Sequence, residues 1–149
     1  MKIKTHRVRE TAKLPVRAHE TDAGMDLFFC PKEYGLVSIR PRDSVLLSTG
    51  LKIEVPEGYM LEIKNKSGIA SKRKLVVGAG GVDSGYDGEI FVNLHNIGGL
   101  TEDVEPGQKI AQAVMVPIVY PEIEEIKEDN VYGAETSRGS GALGSTGEY

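Results

Sequence analysis

Tryptophan is absent from the 149-residue sequence, cysteine occurs once, and aromatic residues make up only 6%. Because aromatic residues are scarce, the core must be built mainly from valine, isoleucine and leucine. The single cysteine, Cys30, cannot form an intramolecular disulfide, and its position in an apolar run indicates a buried thiol rather than a nucleophile. The chain therefore has no need of an oxidising compartment.

Long hydrophobic runs and a basic surplus are also lacking. No apolar stretch approaches membrane-spanning length, and the N-terminus has no signal-peptide core. We therefore expect no membrane association and an intracellular, cytoplasmic protein, encoded by a cell or by a virus. The net charge of −4 disfavours direct nucleic-acid binding. A triphosphate ligand remains compatible if a metal ion and a few local cations hold it.

Strand patterning dominates what the sequence does contain. Apolar and polar residues alternate along Leu51 to Val55 and Tyr59 to Lys64, and Pro56-Glu57-Gly58 forms a turn between them. Further strands are predicted at Ser44 to Ser48, Glu89 to His95 and Ile110 to Val119. One helix is predicted, over Ser67 to Lys74. Short strands separated by proline and glycine favour an all-β antiparallel sandwich or barrel in one domain.

The C-terminal residues differ from the rest of the chain. From Glu128 onward the sequence is polar, and residues 133–147 contain five glycines. Composition alone leaves two interpretations open: a frayed C-terminus, or an arm that becomes ordered on a ligand.

Two segments combine charged residues with a glycine beside a predicted strand. Thr21 to Leu27 places two carboxylates around a glycine. Carboxylates suit Mg²⁺, which prefers oxygen ligands and retains several waters, but the pattern is also typical of a solvated turn. Lys64 to Ala70 ends a strand with a cation, a hydroxyl and a glycine before the predicted helix. Free N–H groups at a helix start favour an anion, while Ser67 as a plain N-cap explains the same residues.

Two further segments place a polar residue at a turn or in a strand. Ala79 to Glu89 is predicted to form a glycine-rich hairpin whose tip exposes backbone groups to a ligand. Asp83 in this segment could cap the turn backbone, or it could deprotonate a water beside a substrate. Pro106 to Gln112 is a turn that leads into a buried strand, where Gln112 needs a hydrogen-bond partner from backbone or ligand.

The last segment of interest, Arg138 to Gly147, is rich in glycine and hydroxyl side chains. Successive N–H groups of such a loop can wrap phosphates, and arginine adds bidentate recognition. The segment is not a Walker A motif, because no lysine follows its last glycine.

In this order, the five segments resemble the five motifs of the trimeric dUTP pyrophosphatase (dUTPase) family, and they span residues 22 to 147. The most specific matches are Ala23 to Leu27, Val82-Asp83 with Tyr86 and Gly88, Gly107 with Gln112, and Arg138-Gly139 leading to Gly144 to Gly147. The resemblance implies a jelly-roll-like β-barrel over residues 1–127 and a homotrimer with shared active sites. It also implies that a flexible glycine-rich arm, residues 128–149, closes the active site of a neighbouring subunit.

The resemblance implies hydrolysis of dUTP to dUMP and pyrophosphate, which would limit uracil incorporation into DNA and supply dUMP for thymidylate synthesis. Asp83 would activate the water that attacks the α-phosphorus, and Asp26 would contact a Mg²⁺ cofactor through water. Tyr86 would pack under the deoxyribose and exclude a 2′-hydroxyl. The other substrate-binding residues implied are Gly80 and Val82 at the uracil, Lys66, Ser67, Gly68 and Gln112 at the phosphates, and Arg138, Leu143, Gly144, Ser145 and Thr146 in the arm.

Three positions depart from the family pattern. Lys66 stands where the family usually has arginine, which keeps the charge but loses the bidentate fork. Asp87 replaces another usual arginine and reverses the charge. Leu143 replaces the phenylalanine that would stack on uracil, so another aromatic residue could take over this contact. Phe91 and Tyr132 are the candidates.

Two other functions remain open at the level of the sequence. The dCTP deaminase family resembles this chain too, but it uses a glutamate where this chain has Asn93, which cannot act as an acid or base. A regulatory protein that binds a protein partner is the second alternative, and the intact pair of Asp83 and Tyr86 disfavours it. The scattered histidines, which we interpret as non-catalytic, are His6, His19 and His95.

Overall fold

Helices and strands occur in the first of two units into which the chain divides, Met1–Val119 and Tyr120–Tyr149. The computed structural model describes residues 1–142. Within the described part of the second unit, residues 120–142, no helix or strand forms. This agrees with the polar, glycine-rich composition there, because such a segment offers few apolar side chains for burial.

The regular elements of the first unit are eleven strands and one helix, counted over residues 1–142. In chain order they are β1 (Thr5–Arg7), β2 (Met25–Phe28), β3 (Val37–Ile39), β4 (Ser44–Ser48), β5 (Leu51–Ile53), β6 (Tyr59–Lys64), α1 (Ser67–Arg73), β7 (Leu75–Val77), β8 (Gly81–Val82), β9 (Phe91–Asn96), β10 (Glu102–Val104) and β11 (Lys109–Pro117). The prediction of an all-β fold is confirmed. The described helix is too short to cross a membrane.

Four antiparallel sheets arise from these strands. The largest has the order β2-β11-β6-β8, a second has the order β4-β9-β7, and two pairs join β1 to β5 and β10 to β3. Most partners are distant in sequence, so β11 near the end of the unit lies between β2 and β6. This arrangement brings residues from three separate segments side by side on neighbouring strands.

The core consists of aliphatic side chains from nearly every strand, as the scarcity of aromatic residues predicts. In β9 the alternation is strict: Val92 and Leu94 are buried, whereas Phe91 and His95 are exposed. Because alternate side chains of a strand point to opposite faces, the outer face of β9 is free to line a site. Fully buried core residues include Leu27, Leu51, Leu61, Leu75, Ile90 and Ile110.

The N-cap of the helix lies one residue earlier than the sequence interpretation that places it at Ser67. Lys66 is the N-cap, with an extended backbone and no side-chain cap, and Ser67 is the first helical residue. Ser67 as the N-cap is therefore wrong, because the chain leaves the extended conformation only after Lys66. The helix ends at Arg73, followed by Lys74 in the left-handed conformation.

Candidate active site

One row of residues crosses three strands of the largest sheet. Gln112 on β11 lies opposite Asp26 on β2 and opposite Lys64 on β6. Lys66 follows two residues after Lys64, at the start of α1. The sheet therefore brings together a carboxylate, an amide and a cation that three of the predicted motifs contribute.

Asp26 is the centre of this group and is only 1% exposed. Lys66 Nζ donates to Asp26 Oδ1 at 2.8 Å, and Gln112 Nε2 donates to the same oxygen at 3.3 Å. Lys109 Nζ lies 2.6 Å from Oδ2 and forms an ion pair with it. We call these four residues, Asp26, Lys66, Lys109 and Gln112, the carboxylate cluster.

The two lysines decide the charge of Asp26. Burial by itself would raise the pKa of this carboxyl, but the contacts with Lys109 and Lys66 outweigh it and hold the pKa below its usual range. Asp26 is thus a carboxylate whose charge is compensated inside the protein. The sequence did not predict the contact of Lys109 with Asp26, because nothing in the spacing of the two residues relates them.

Ser67 and Gly68 lie beside the carboxylate cluster in the chain and are exposed at the start of α1. The Ser67 side chain makes no hydrogen bond within residues 1–142, and its carbonyl accepts a bond from Ser71 Oγ at 2.7 Å. Both residues are therefore open to a ligand next to the Lys66 ammonium.

The glycine-rich segment, residues 79–89, is a loop between two sheets and not a hairpin. Its first part, β8, pairs with β6, whereas the strand that follows it, β9, pairs with β4 and β7. The predicted hairpin is wrong because each end of the segment finds a more distant partner. We call residues 79–89 the glycine-rich loop.

A turn at Asp83 to Tyr86 forms the tip of this loop. The backbone N–H of Tyr86 donates to the carbonyl of Asp83 at 3.4 Å, and Gly85 has a φ of 83°. A positive φ at the third position is typical of a type II turn and explains the glycine there. The Asp83 carboxylate is exposed and makes no hydrogen bond or ion pair with the other described residues, so it does not cap this turn.

Tyr86 folds back over the loop. Its hydroxyl donates to the carbonyl of Glu89 at 3.0 Å. A Cβ at Gly88 would come within 2.1 Å of the hydroxyl oxygen, so only glycine leaves room for the ring in this position. The ring remains 49% exposed.

An apolar cavity of about 240 Å³ opens beneath the glycine-rich loop. Its wall includes Gly80 and Val82, together with Asp83 and Tyr86. Phe91, on the outer face of β9, also lines it and is 41% exposed. Tyr132, the other aromatic candidate, belongs to the second unit of the chain.

Asn93 lines the same cavity, two residues beyond Phe91 on β9. His95 Nε2 lies 2.7 Å from Asn93 Oδ1, and Asn93 Nδ2 donates to the carbonyl of Val45 at 3.4 Å. The amide is therefore held by the protein. At the rim, the Asp87 carboxylate lies 3.4 Å from Lys52 Nζ and is 91% exposed.

Glu89 ends the glycine-rich loop. Its contacts are the second set, after the contact of Lys109 with Asp26, that the sequence did not predict. Its carboxylate pairs with Arg9, from the N-terminal segment, and with the hydroxyl of Ser48. Burial opposes ionisation of Glu89, but the bonds from Arg9, Ser48 and the Gly50 N–H outweigh it and lower the pKa of the carboxyl. No sequence pattern connects Arg9 with Glu89, which lies 80 residues away.

The cavity and the carboxylate cluster are neighbours through β6 but do not form one pocket. Ile63 on β6 donates its N–H to the carbonyl of Gly80 at 2.6 Å, and the next residue, Lys64, lies opposite Gln112. The cavity lining includes none of Asp26, Lys66 or Gln112. Within the described part of this chain, the cavity beneath the glycine-rich loop and the carboxylate cluster are thus separate.

The remaining predicted residues lie in the second unit. Arg138 Nε donates to the carbonyl of Gly141 at 3.2 Å in a local turn. Leu143, Gly144, Ser145 and Thr146 lie outside the described residues.

Comparison with known proteins places these features in one family. Residues 10–147 match the family model described as dUTPase. The deoxyuridine 5'-triphosphate nucleotidohydrolase of Clostridium tetani is 43% identical over 148 residues, which covers 98% of this chain and 97% of that protein. The corresponding protein of Hydrogenobaculum sp. is 42% identical over 149 residues and covers 99% of each.

Solved structures show the same fold. A mutant dUTPase of Staphylococcus bacteriophage 80alpha, solved with dUpNHpp, has a TM-score of 0.87 and 27% identity, and the match covers 98% of each chain. A mutant dUTPase of phage phi11 of S. aureus, whose structure reveals the coordination of a structural Mg(II) ion, has a TM-score of 0.78 and 28% identity. That match covers 86% of this chain and 98% of the phage chain.

The strand arrangement, the glycine-rich loop and the carboxylate cluster define an enzyme of the all-β nucleotidohydrolase class. The chain belongs to the dUTPase family, and the prediction of this family is confirmed. The roles of the individual site residues stay predictions.

Proposed function

We propose that this protein hydrolyses dUTP to dUMP and pyrophosphate, and so limits uracil incorporation into DNA and supplies dUMP for thymidylate synthesis. The observation that carries this proposal is the exposed carboxylate of Asp83 at the wall of the apolar cavity, where it has no partner among the described residues. A carboxylate in this position can accept a proton from a water beside a bound ligand.

The cavity suits a pyrimidine deoxynucleoside. Backbone groups at Gly80 and Val82 would pair with the uracil edge, because strand backbone offers both donors and acceptors. Tyr86 would lie under the deoxyribose, and its position over Gly88 would leave no room for a 2′-hydroxyl. Phe91 offers an aromatic face for the base, which makes it the better supported substitute for the phenylalanine usual at Leu143.

The phosphates would bind at the carboxylate cluster. Lys66 would exchange Asp26 for a phosphate oxygen, with the exposed Ser67 and Gly68 next to it. Gln112 would fix the α-phosphate region, because its amide already lies beside Lys66 through their shared contact with Asp26. Lys109 would remain to compensate the buried charge.

The residues of the cluster fit Mg²⁺ only through water. No group of three or more potential metal-ligating side chains occurs within residues 1–142, and both oxygens of Asp26 contact lysines. An ion carried by the triphosphate, with Asp26 touching one of its waters, agrees with the preference of Mg²⁺ for phosphate oxygens and retained waters. The chemistry it supplies when bound is neutralisation of charge on the phosphates.

In the reaction, Asp83 would take a proton from water as the water oxygen forms a bond to the α-phosphorus. The bond between that phosphorus and the bridging oxygen to the β-phosphate would break, and pyrophosphate would leave. Lys66 and Gln112 would stabilise charge on the phosphate oxygens in the transition state. Deamination is disfavoured, because Asn93 cannot carry a proton at the pyrimidine ring.

The separation of the two groups in one chain supports a homotrimer in which the active sites are shared between subunits. The cavity would accept the base of a nucleotide whose phosphates contact the cluster of another subunit. Residues 128–149 would act as the arm, in which Arg138, Ser145 and Thr146 would bind the terminal phosphates and Leu143-Gly144 would cover the base.

The test of the reaction is pyrophosphate release from dUTP with Mg²⁺ by the wild type and by Asp83→Asn. Removal of the general base is expected to lower kcat by about 1000-fold, while binding of dUpNHpp is retained. Asp87→Asn, in the same loop, is the matched control and should keep its activity. Equal hydrolysis by wild type and Asp83→Asn would contradict the role of Asp83, and activity only on dCTP would favour the deaminase alternative.

Shared sites can be tested by mixing two inactive chains. One carries Asp83→Asn, and the other ends at Lys127 and lacks the arm. Co-expressed chains should regain activity, because mixed trimers contain sites that combine an intact Asp83 with an intact arm. Native mass measurement checks the assembly; a monomer, or mixed trimers without activity, would contradict shared sites.

A further inference from the structure

Three groups converge on the carboxylate of Glu89 where the glycine-rich loop rejoins the sheets. The Arg9 guanidinium reaches both oxygens: Nη1 donates to Oε2 at 3.2 Å, and Nη2 donates to Oε1. Ser48 Oγ donates to Oε1 at 2.5 Å, and the Gly50 N–H donates to the same oxygen at 2.8 Å. Such a two-point contact between arginine and a carboxylate fixes orientation as well as distance.

The two ends of the glycine-rich loop are anchored by different means. The end that carries Asp83 belongs to β8, whose Val82 pairs with Leu61 on β6. The end that carries Tyr86 has its hydroxyl on the Glu89 carbonyl. The position of the Tyr86 side chain therefore depends on where Glu89 is held. The position of Asp83 instead depends on a strand pairing in which Glu89 takes no part.

We infer that Arg9, Glu89 and Ser48 form a positioning junction that fixes Tyr86 for recognition of the deoxyribose. The inference rests on the proposed function, since it gives Tyr86 the sugar contact. None of the three residues needs to touch the reacting atoms.

The junction is well protected from solvent, because the side chains of Arg9 and Glu89 are 17% and 11% exposed. Arg9 Nη2 also donates to the Cys30 carbonyl at 2.9 Å, which ties the pair to the end of β2. A displaced Glu89 would move its carbonyl and, with it, the Tyr86 ring. A merely stabilising ion pair would lower the melting temperature without changing which sugar is accepted.

The experiment compares three variants with the wild type. Glu89→Gln keeps the shape but removes the charge; Arg9→Met with Glu89→Gln removes both charges and leaves neither ion unpaired. Glu54→Gln is the control, since Glu54 forms an exposed pair with Lys4. Three quantities are measured: kcat/KM for dUTP relative to UTP, the melting temperature, and amide hydrogen exchange of residues 84–88 in the free protein.

In both junction variants, the ratio of kcat/KM for dUTP to that for UTP is expected to fall about tenfold. Small displacements of a positioning group have effects of at least this size. kcat for dUTP should stay close to that of the wild type, and exchange at residues 84–88 should accelerate. The double variant should recover melting temperature relative to Glu89→Gln but not the sugar preference.

Unchanged exchange at residues 84–88 would overturn the inference, and so would a sugar preference that recovers together with the melting temperature. Faster exchange with an unchanged preference would also overturn it. A wild type that does not hydrolyse dUTP would instead contradict the proposed function. The exchange measurement then still tests whether the junction holds the loop.

Discussion

The glycine-rich loop and the carboxylate cluster both depend on a carboxylate that is largely shielded from solvent, but they compensate its charge differently. Glu89 pairs with the planar fork of Arg9, whose side chain is 17% exposed. Asp26 pairs with Lys66 and Lys109, whose side chains are 28% and 42% exposed. Arginine holds a fixed geometry, whereas a lysine is a mobile point charge on a flexible chain.

This difference matches what each region would do in the proposed reaction. The loop would recognise a base and a sugar by shape, which requires a wall that does not move. The cluster would exchange one ionic partner for another when phosphates arrive, which a flexible, partly exposed lysine allows. The replacement of the usual arginine by Lys66 therefore makes the cluster the more adaptable of the two regions.

Removal of Lys66 should separate the two regions most clearly. In Lys66→Met, kcat/KM for dUTP is expected to fall about 100-fold, because a charge-assisted contact to phosphate is lost. Affinity for deoxyuridine, which lacks phosphates, should not change. Lys72→Met, an exposed lysine on α1, is the control, and Lys66→Arg should retain binding. Equal loss of deoxyuridine affinity would show that Lys66 supports the cavity as well.

Removal of the Phe91 ring should weaken binding at the cavity beneath the glycine-rich loop, not at the carboxylate cluster. In Phe91→Ala, affinities for deoxyuridine and dUTP are expected to fall together by about tenfold, the typical effect of losing one base–aromatic contact. Phe91→Tyr keeps the aromatic face and should bind normally. Calorimetric titration measures both ligands, and unchanged affinity would exclude Phe91 as the aromatic cover.

Acid should weaken the Glu89 pair. Because the pKa of Glu89 is lowered in the folded protein, its stabilising effect is complete above the ordinary pKa of glutamate and is lost as the pH falls through the lower folded value. We expect Glu89→Gln to melt a few degrees below the wild type at neutral pH, with a difference that shrinks in acid. Glu57→Gln, at an exposed glutamate, should follow the wild type throughout. A constant difference would show that the charge of Glu89 is not what stabilises the loop.

The smallest effect is expected at the exposed pair of Lys52 and Asp87. Their charged atoms are 3.4 Å apart and Asp87 is 91% exposed, so solvent screens the attraction. Lys52→Met should change the melting temperature by no more than about 1 °C and kcat/KM by less than about twofold. A larger loss of activity would show that Asp87 positions the loop despite its exposure.

Local patterns were sufficient to predict several elements closely. β4 and β6 have the predicted bounds, and α1 ends one residue before the predicted end. The strand predicted over Glu89 to His95 is confirmed as β9, although it begins at Phe91 and ends at Asn96. These predictions succeed because alternation and helix-ending residues act within a few positions of the chain.

Apart from the helix N-cap, which is Lys66 and not Ser67, the errors involve contacts between distant segments. A hairpin was predicted for residues 79–89, but β8 pairs with β6 and β9 pairs with β4. Glycine spacing cannot reveal which strand an edge will pair with, since the choice depends on the packing of the whole sheet. The contacts of Glu89 with Arg9 and of Asp26 with Lys109 join residues about 80 positions apart, and no short motif contains them.

The sequence by itself determined the all-β class, the order of the five motifs and the residue types available for chemistry, because these depend on composition and local spacing. Tertiary structure decided that Asp83 has an exposed carboxylate without a partner among residues 1–142, that Asp26 is buried between two lysines, and that Glu89 is held by Arg9. The physical reason is that burial and ion pairing are properties of surfaces brought together by folding. A residue's charge and freedom are set by neighbours that the chain supplies from far away.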